Sequence, residues 1–330
     1  MDSKVNNNLS YIALFALFFI GNTVINLPFG GNINGSIPGF LIAALISIPF
    51  ILYISKISLP SRKSFFGIAI TSLFVLYSLF CGIVTLRNYV TFSDKIILPE
   101  IGSFFPSLLF LLLLWLICRE KDDVLLKLSL ISALLVFITV ITLFLLSLNS
   151  MSIKELIPKK IPTLKEISYQ GLSYLSMSFI EGIVLIGFIK EKGRKAMLSG
   201  FFSGASVLFI ILIQSVSVFG YTLLSHLNFP YASAMSVITF GDKFTRMEGF
   251  SYLLYFSCTL IKTAVCVKAA KSAICLIIPK VQKYFFPAVI IVYGTLCVFT
   301  DFFINLPFMT VAPFLLIPAV VLTISAPKNK

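Results

Sequence analysis

The residue types that carry out most protein chemistry are scarce in this sequence of 330 residues. Histidine occurs once, as His226, and none of the six cysteines belongs to a Cys-x-x-Cys pair. The sequence also lacks the phosphate-binding pattern Gly-x-x-x-x-Gly-Lys-Ser/Thr, the zinc pattern His-Glu-x-x-His and the hydrolase pattern Gly-x-Ser-x-Gly. We therefore expect no catalytic centre, no metal site and no cofactor, and we predict that the protein is not an enzyme.

Two charged side chains lie where a charge is costly. Glu181 and Lys262 each fall many residues from the end of an apolar run, and a charge at the middle of a membrane-spanning helix costs about 2.5–3.5 kcal/mol on insertion scales. We predict that both line a central cavity, where they pair with each other or face a hydrated ligand. The alternative for Lys262, which has the longer stem, is a charge that serves helix packing alone.

Small and polar residues interrupt two apolar runs at corresponding places. The interruptions are Gly21-Asn22-Thr23-Val24 in the first run, and Ser176, Ser178, Phe179, Glu181 and Gly182 in the sixth. Matched interruptions in two halves of a chain predict discontinuous helices, whose free backbone groups bind a ligand near the membrane midplane. Because the N-terminus of a half-helix favours a carboxylate, we predict that these residues bind the ligand. Close helix packing by small residues is the alternative.

Polar residues also recur at helical spacing in the third, seventh and eighth apolar runs. Such stripes turn toward other helices or a watery cavity, because lipid offers them no hydrogen bonds. From the third and eighth runs we add Tyr77, Ser257 and Thr259 to the predicted ligand site. In the seventh run, the pair Gly200 and Gly204 indicates close helix packing.

The composition indicates that lipid is the solvent. Apolar residues make up 58% of the chain, charged residues make up 12%, and the mean hydropathy is +1.02. A soluble domain is about 45–50% apolar and about 25% charged. The net charge of +13 is carried mainly in short linkers between apolar runs, which is typical of the cytoplasmic loops of membrane proteins and argues against nucleic-acid binding.

About 20 apolar residues cross a membrane as a helix, and ten runs approach or exceed this length. They lie near residues 10–28, 36–55, 65–90, 103–119, 124–148, 168–189, 197–224, 247–278, 284–300 and 303–325. We expect an all-α integral membrane protein with about ten transmembrane helices in a single permease-like domain. Its repeats are predicted at about 10–148 and 168–325, separated by a loop at 149–167. Lysine and arginine favour the linkers on the N-terminal side, so both termini are expected in the cytoplasm.

One stretch of the second half matches a known family motif. It comprises Phe229-Pro230-Tyr231, Ile238-Thr239-Phe240-Gly241-Asp242, Phe244-Thr245-Arg246-Met247-Glu248 and Leu260-Ile261-Lys262. This stretch resembles the spore germination permease family, the B subunits of nutrient germinant receptors. The first run, through Asn26-Leu27-Pro28, and Phe179-Ile180-Glu181-Gly182 of the sixth are also similar to motifs of that family. The chain departs from the family pattern at Asn22, where serine or threonine is usual, and at Lys243.

The resemblance implies a fold and a function. The family is similar to amino acid/polyamine/organocation transporters, so we expect a LeuT-like five-plus-five inverted repeat with the substrate site between discontinuous first and sixth helices. It implies a receptor in the spore inner membrane that binds a small germinant, by family analogy an amino acid, and triggers germination with A and C subunits. By the same resemblance Lys262 stands in for a coupling cation. A proton-coupled amino acid symporter is the alternative, and a scaffold or channel without a ligand is the third reading.

Overall fold

The computed structural model describes residues 2–25, 33–56, 65–97, 102–158, 160–189, 193–237 and 248–299. Within these ranges 91% of the residues are helical and none lies in a strand. The predicted tenth run at 303–325 lies outside the described residues, as do residues 238–247 of the family-like stretch and Asn26-Leu27-Pro28.

Ten α-helices follow one another along the described part of the chain. They are α1 (Asp2–Ile25), α2 (Ser36–Ile54), α3 (Phe65–Phe92), α4 (Phe104–Arg119), α5 (Asp122–Ser147), α6 (Leu164–Tyr174), α7 (Arg194–Leu224), α8 (Pro230–Val237), α9 (Glu248–Ile277) and α10 (Phe285–Phe299). A π-helical turn, Ser93–Ile97, extends α3, and two further non-α segments follow α6. The short helix α8, which joins α7 to α9, was not predicted as a separate element.

Several helices have the length and composition that a membrane requires. In the described residues, four are long and apolar enough to cross it: Ile33–Ile54, Gly67–Ile97, Asp122–Ser150 and Lys195–Leu224. Three shorter apolar helices are Asn8–Gly21, Phe104–Arg119 and Phe285–Leu296. Large aliphatic side chains such as Leu45 and Ile131 are exposed on the outer helices, as expected of a surface that faces lipid. The prediction of an all-helical membrane protein is confirmed, and the count of ten spans stays a prediction.

The helix packing has a two-fold pattern. α1 packs along α7 and α2 packs along α6, while α3 packs on α9 and α4 packs on α10. Suppose that α1, α2, α3 and α4 correspond to α6, α7, α9 and α10 of the second half. Exchanging the halves then turns the α1–α7 pair into the α2–α6 pair, and it leaves the α3–α9 and α4–α10 pairs unchanged. This is the pattern expected when two similar halves are related by a two-fold axis.

The centre of the bundle contains α1. Every residue from Leu14 to Ile20 is at most 2% exposed, so this part of α1 is surrounded by protein on all sides. Two glycines of α7 allow close approach: a methyl group at Gly200 would lie 2.9 Å from the carbonyl oxygen of Ile12, and one at Gly204 would lie 2.9 Å from that of Ala16. The predicted close packing at this glycine pair is confirmed.

Candidate ligand site at the two helix interruptions

The sixth predicted span changes its helix type in the middle. α6 ends at Tyr174 and is followed by a π-helical turn, Leu175–Phe179, and then by a 3-10 helix, Ile180–Gly187. In the π turn the Ser176 hydroxyl donates to the carbonyl oxygen of Ser173 at 3.0 Å, a local bond of the kind that bends helices. Single π turns of this kind are frequent at functional sites.

The first predicted span is interrupted at Gly21, whose backbone angles (φ 12°, ψ −110°) are not helical. Just beyond it, the hydroxyl groups of Thr23 and Ser178 form a hydrogen bond, and both residues are fully buried. Gly182 packs on the same helix, since a methyl group there would lie 3.0 Å from the ring of Phe19. The prediction of two discontinuous helices is confirmed, and the structure brings their interruptions into contact.

The bond between Thr23 and Ser178 gives a testable coupling between the two interruptions. Replacing Thr23 by valine or Ser178 by alanine should each lower the free energy of unfolding by about 0.6–1.7 kcal/mol, the range measured for hydrogen bonds between membrane helices. The double variant should lose less than the sum of the two, because either substitution already removes the bond. The free energies of unfolding of the two single variants and the double variant are measured in denaturing detergent. Ser206→Ala, on the exposed face of α7, is the control. Additive losses would contradict the contact.

The two buried charges lie together at this junction. Lys262 of α9 donates a hydrogen bond from its ammonium group to Oε2 of Glu181 in the 3-10 segment, forming an ion pair. The two side chains are 0% and 3% exposed. A buried pair of this kind escapes the large desolvation penalty of a lone ion only while both partners are present. Of the alternatives for the two charges, the structure shows the one in which they pair with each other, and their place in a ligand cavity stays a prediction.

The stem of Lys262 lies directly on the first interruption. A methyl group at Gly21 would overlap Cδ of Lys262 and would lie 3.3 Å from its Cγ and 3.4 Å from its Cβ. The absence of a side chain at Gly21 is thus what lets Lys262 pass α1 and reach Glu181. The place predicted for a ligand carboxylate, beside the backbone of residues 21–24, is next to this stem.

Three further predicted residues lie beside the interruptions or the ion pair. Val24 and Phe179 are fully buried, and the ring of Phe179 packs edge-on against that of Phe201 in α7, with centroids 5.1 Å apart. Tyr77 of α3 is buried close enough to Glu181 for the two side chains to interact electrostatically. The structure therefore groups these residues with the pair, and their contact with a ligand stays a prediction.

The remaining predicted residues are less clearly placed. Thr259, one turn before Lys262, is buried and donates to the carbonyl oxygen of Tyr255 at 2.7 Å, so its hydroxyl is engaged within α9. Ser257 is half-buried and lies about 140° around the helix from Lys262 at 100° per residue. The side chain of Asn22 lies outside the described residues. A ligand role for these three residues stays a prediction.

α9 holds the 3-10 segment at a second point. The hydroxyl of Ser272 donates to the carbonyl oxygen of Gly187. Four residues earlier on α9, Lys268 donates to the carbonyl oxygen of Glu120 at 2.7 Å and lies 3.3 Å from Oδ1 of Asp122. These residues border a cleft of about 660 Å³. α9 therefore contacts the 3-10 segment at both ends, at Glu181 through Lys262 and at Gly187 through Ser272.

One neighbour of the ion pair was missed from the sequence. The ring centroid of Phe18 lies 5.4 Å from the ammonium nitrogen of Lys262, a distance suited to a cation–π interaction. Phe18 precedes Gly21 by three residues on the same face of α1, and this spacing was the available signal. No three histidine, cysteine or acidic side chains come together as a metal site in the described part of the chain.

Comparisons with known proteins agree with this geometry. The profile of a family described as spore germination protein matches residues 37–328. A comparison with curated proteins by sequence found no match. In structure, the chain is similar to a nucleobase-cation-symport-1 family transporter in a closed conformation with bromovinylhydantoin bound, at 13% identity and a TM-score of 0.55, covering 97% of this chain and 75% of that one.

Two more solved structures show the same likeness. One is a Na⁺-coupled sialic acid symporter in a substrate-bound outward-open state (14% identity, TM-score 0.54, 94% of this chain and 75% of that one). The other is MhsT in complex with L-phenylalanine (15% identity, TM-score 0.52, 95% and 87%). At these identities the likeness concerns the fold, and it confirms the predicted LeuT-like architecture.

Proposed function

Because the chain belongs to the spore germination protein family, we propose that it is the B subunit of a nutrient germinant receptor. In this proposal it binds a small zwitterionic amino acid between the interrupted first and sixth helices. Binding then triggers germination through A and C subunits in the spore inner membrane, with both termini of this chain in the cytoplasm. The unit that does so is a single permease-like domain of two repeats, and it binds its ligand without chemical conversion.

The observation that carries the proposal is the buried ion pair between Glu181 and Lys262. Both charges lie at the junction of the two interruptions, and an amino acid carries the complementary pair. Its ammonium group matches the Glu181 carboxylate, and its carboxylate matches the Lys262 ammonium group together with backbone N–H groups near Gly21. A ligand with only one of these charges leaves the other protein charge buried without a partner, which is unfavourable.

The burial of the pair also suggests how binding becomes a signal. Neither side chain reaches solvent, so an amino acid can bind only if the 3-10 segment and α9 separate. The ligand then replaces one ion pair by two and stabilises the separated arrangement, which is a shift between two states. Since Ser272 joins α9 to Gly187 at the far end of the same segment, the movement extends to the surface where partner subunits can detect it.

Lys262 has a second role in this proposal. Transporters of similar fold include a Na⁺-coupled symporter, whereas in this chain the stem of Lys262 lies on the first interruption and its covalently attached ammonium group pairs with Glu181. We infer that this fixed charge takes the place of a coupling cation. A receptor has no need of an ion gradient, because it reports its ligand without moving it.

A proton-coupled amino acid symporter is the second candidate. The structural similarity to two transporters and to MhsT, which was solved in complex with L-phenylalanine, favours it. This candidate requires the same pocket. Uptake of a labelled amino acid into proteoliposomes under an inward proton gradient separates the two: a sensor gives saturable binding without accumulation, and a symporter gives accumulation that collapses with the gradient.

A thermal-shift screen tests the proposed function. The purified protein is heated with each standard amino acid, and in parallel with sugars and nucleosides as other classes of nutrient. We expect one or a few amino acids to raise the melting temperature in a concentration-dependent way, because a ligand that binds only the folded state stabilises it by mass action. Stabilisation by sugars or nucleosides alone, or by none of the compounds, would refute an amino acid ligand.

A further inference from the structure

The connection between the two halves, residues 148–165, has an unusual exposed surface. Four large aliphatic side chains project from it: Ile153 (81% exposed), Ile157 (69%), Ile161 (86%) and Leu164 (83%). Ile153, Ile161 and Leu164 are more exposed than the aliphatic residues on the outer faces of the long helices, such as Leu76 at 68% and Ile131 at 67%, and Ile157 is about as exposed as these. Apolar groups this prominent on an ordered segment mark a surface that binds something.

The segment is ordered because α7 holds it. The backbone N–H of Ser152 donates to the carbonyl oxygen of Ser217 at 2.9 Å, and the Tyr221 hydroxyl donates to that of Leu156 at 3.2 Å. Glu155 packs on Gly220, where a methyl group would overlap its carboxylate. The aliphatic side chains therefore project from a fixed backbone rather than from a loose loop.

In this segment the described lysines are exposed, whereas the acidic residue packs on the protein. Lys154, Lys160 and Lys165 are exposed alongside the aliphatic residues. The single acidic residue of the segment, Glu155, lies against α7. Glu166, which follows the segment, accepts a hydrogen bond from the backbone N–H of Thr163 at 2.8 Å in the capping box of α6. The exposed surface is thus aliphatic and cationic.

The position of the segment identifies its partner. It begins where α5 ends, leads into α6 and packs on the end of α7, so it lies at one boundary of the membrane. Aliphatic side chains next to lysines at that depth are the composition of segments that lie in the lipid interface, where the apolar groups enter the acyl boundary and the lysines meet anionic headgroups.

We propose that the described residues 148–158 and 160–165 form an interfacial anchor, which inserts Ile153, Ile157, Ile161 and Leu164 into the bilayer surface and binds anionic phospholipid headgroups through the exposed lysines Lys154, Lys160 and Lys165. The anchor fixes the height of the α5–α6 connection, and with it the start of the interrupted sixth span, relative to the membrane. This inference does not depend on the proposed amino acid ligand or on the proposed function.

Tryptophan fluorescence in vesicles tests the anchor. Trp115, the single tryptophan of the chain, is first replaced by phenylalanine, and a tryptophan is then introduced as Ile157→Trp or Ile161→Trp. The variants are reconstituted into phosphatidylcholine vesicles, with and without phosphatidylglycerol, whose acyl chains carry bromine either near the headgroup or near the terminal methyl. Leu134→Trp, on the lipid-facing side of α5 and near the middle of that helix, is the matched control for a deeper position.

We expect blue-shifted emission that shallow bromine quenches more than deep bromine, with the order reversed for the Leu134→Trp control. Quenching should increase with phosphatidylglycerol, and Lys154→Gln, Lys160→Gln and Lys165→Gln together should abolish that increase. Water-like emission without quenching at both positions, in protein whose control is quenched, would overturn the anchor and assign this surface to water or a partner protein. Equal quenching with and without phosphatidylglycerol would overturn the role of the lysines.

Discussion

Replacing either member of the buried ion pair should destabilise the protein by about 3–5 kcal/mol, because removal of one partner leaves the other charge buried without compensation. The variants are Glu181→Met and Lys262→Met, measured by unfolding in denaturing detergent. The double variant should recover most of the loss, since a buried ion pair can be replaced by apolar side chains of similar volume with little net cost. We expect none of the three variants to respond to the amino acid that stabilises the unsubstituted protein.

Lys271→Met is the control for this series. Lys271 lies on the same helix as Lys262, but its ammonium group stacks on the ring of Phe286 at 4.1 Å away from the pair. A cation–π contact of this kind contributes about 0.5–1 kcal/mol at an exposed site. Lys271→Met should therefore lower the free energy of unfolding only slightly, and the response to the ligand should persist. Equal losses for Lys262→Met and Lys271→Met would show that burial of the pair has no special cost.

Replacing Gly21 by alanine is the second substitution with a large expected effect. The added methyl group would overlap the stem of Lys262, and forcing an extra group into a packed interior costs about 1–3 kcal/mol. The displaced lysine would also lose its contact with Glu181, so ligand-induced stabilisation should fall together with the melting temperature. Gly249→Ala, at a position with open space around it, should leave both unchanged.

A second background shows whether the cost of Gly21→Ala comes from overlap with Lys262 or from a change in the α1 backbone. In a Lys262→Ala background only Cβ remains near Gly21, at 3.4 Å, which is an ordinary contact distance. The further cost of Gly21→Ala should therefore be smaller than in the unsubstituted protein. An equal cost in both backgrounds would mean that the methyl group acts on the α1 backbone and that Lys262 plays no part.

The sequence predicted the fold well because the membrane limits the choices. Runs of about 20 apolar residues allow few structures other than spanning helices, and glycine or serine at Gly21 and Ser176–Ser178 is costly to place there without a structural reason. The helix interruptions could therefore be located from residue types alone. α8 was not predicted as a helix, since eight residues that begin with Pro230 are too short to form a clear periodic pattern.

The candidate site could be predicted only in part. Glu181 and Lys262 were conspicuous because each charge had to be compensated, but the sequence did not determine that they compensate each other. That depends on the packing of α9 against the 3-10 segment, 81 residues apart in the chain. The contact of the Lys262 stem with Gly21 likewise follows from the helix packing, which periodicity within one helix does not contain.

The most direct test of a ligand between Glu181 and Lys262 is the thermal shift of the Glu181→Met/Lys262→Met double variant with the amino acid found for the unsubstituted protein. The two measurements use the same ligand concentrations and include the deaminated and decarboxylated analogues of that amino acid. We predict that the complete amino acid stabilises the unsubstituted protein more than either analogue does, and that none of the three stabilises the folded double variant. Equal stabilisation of the double variant by the amino acid would contradict the account, because the ligand would then bind without either charge.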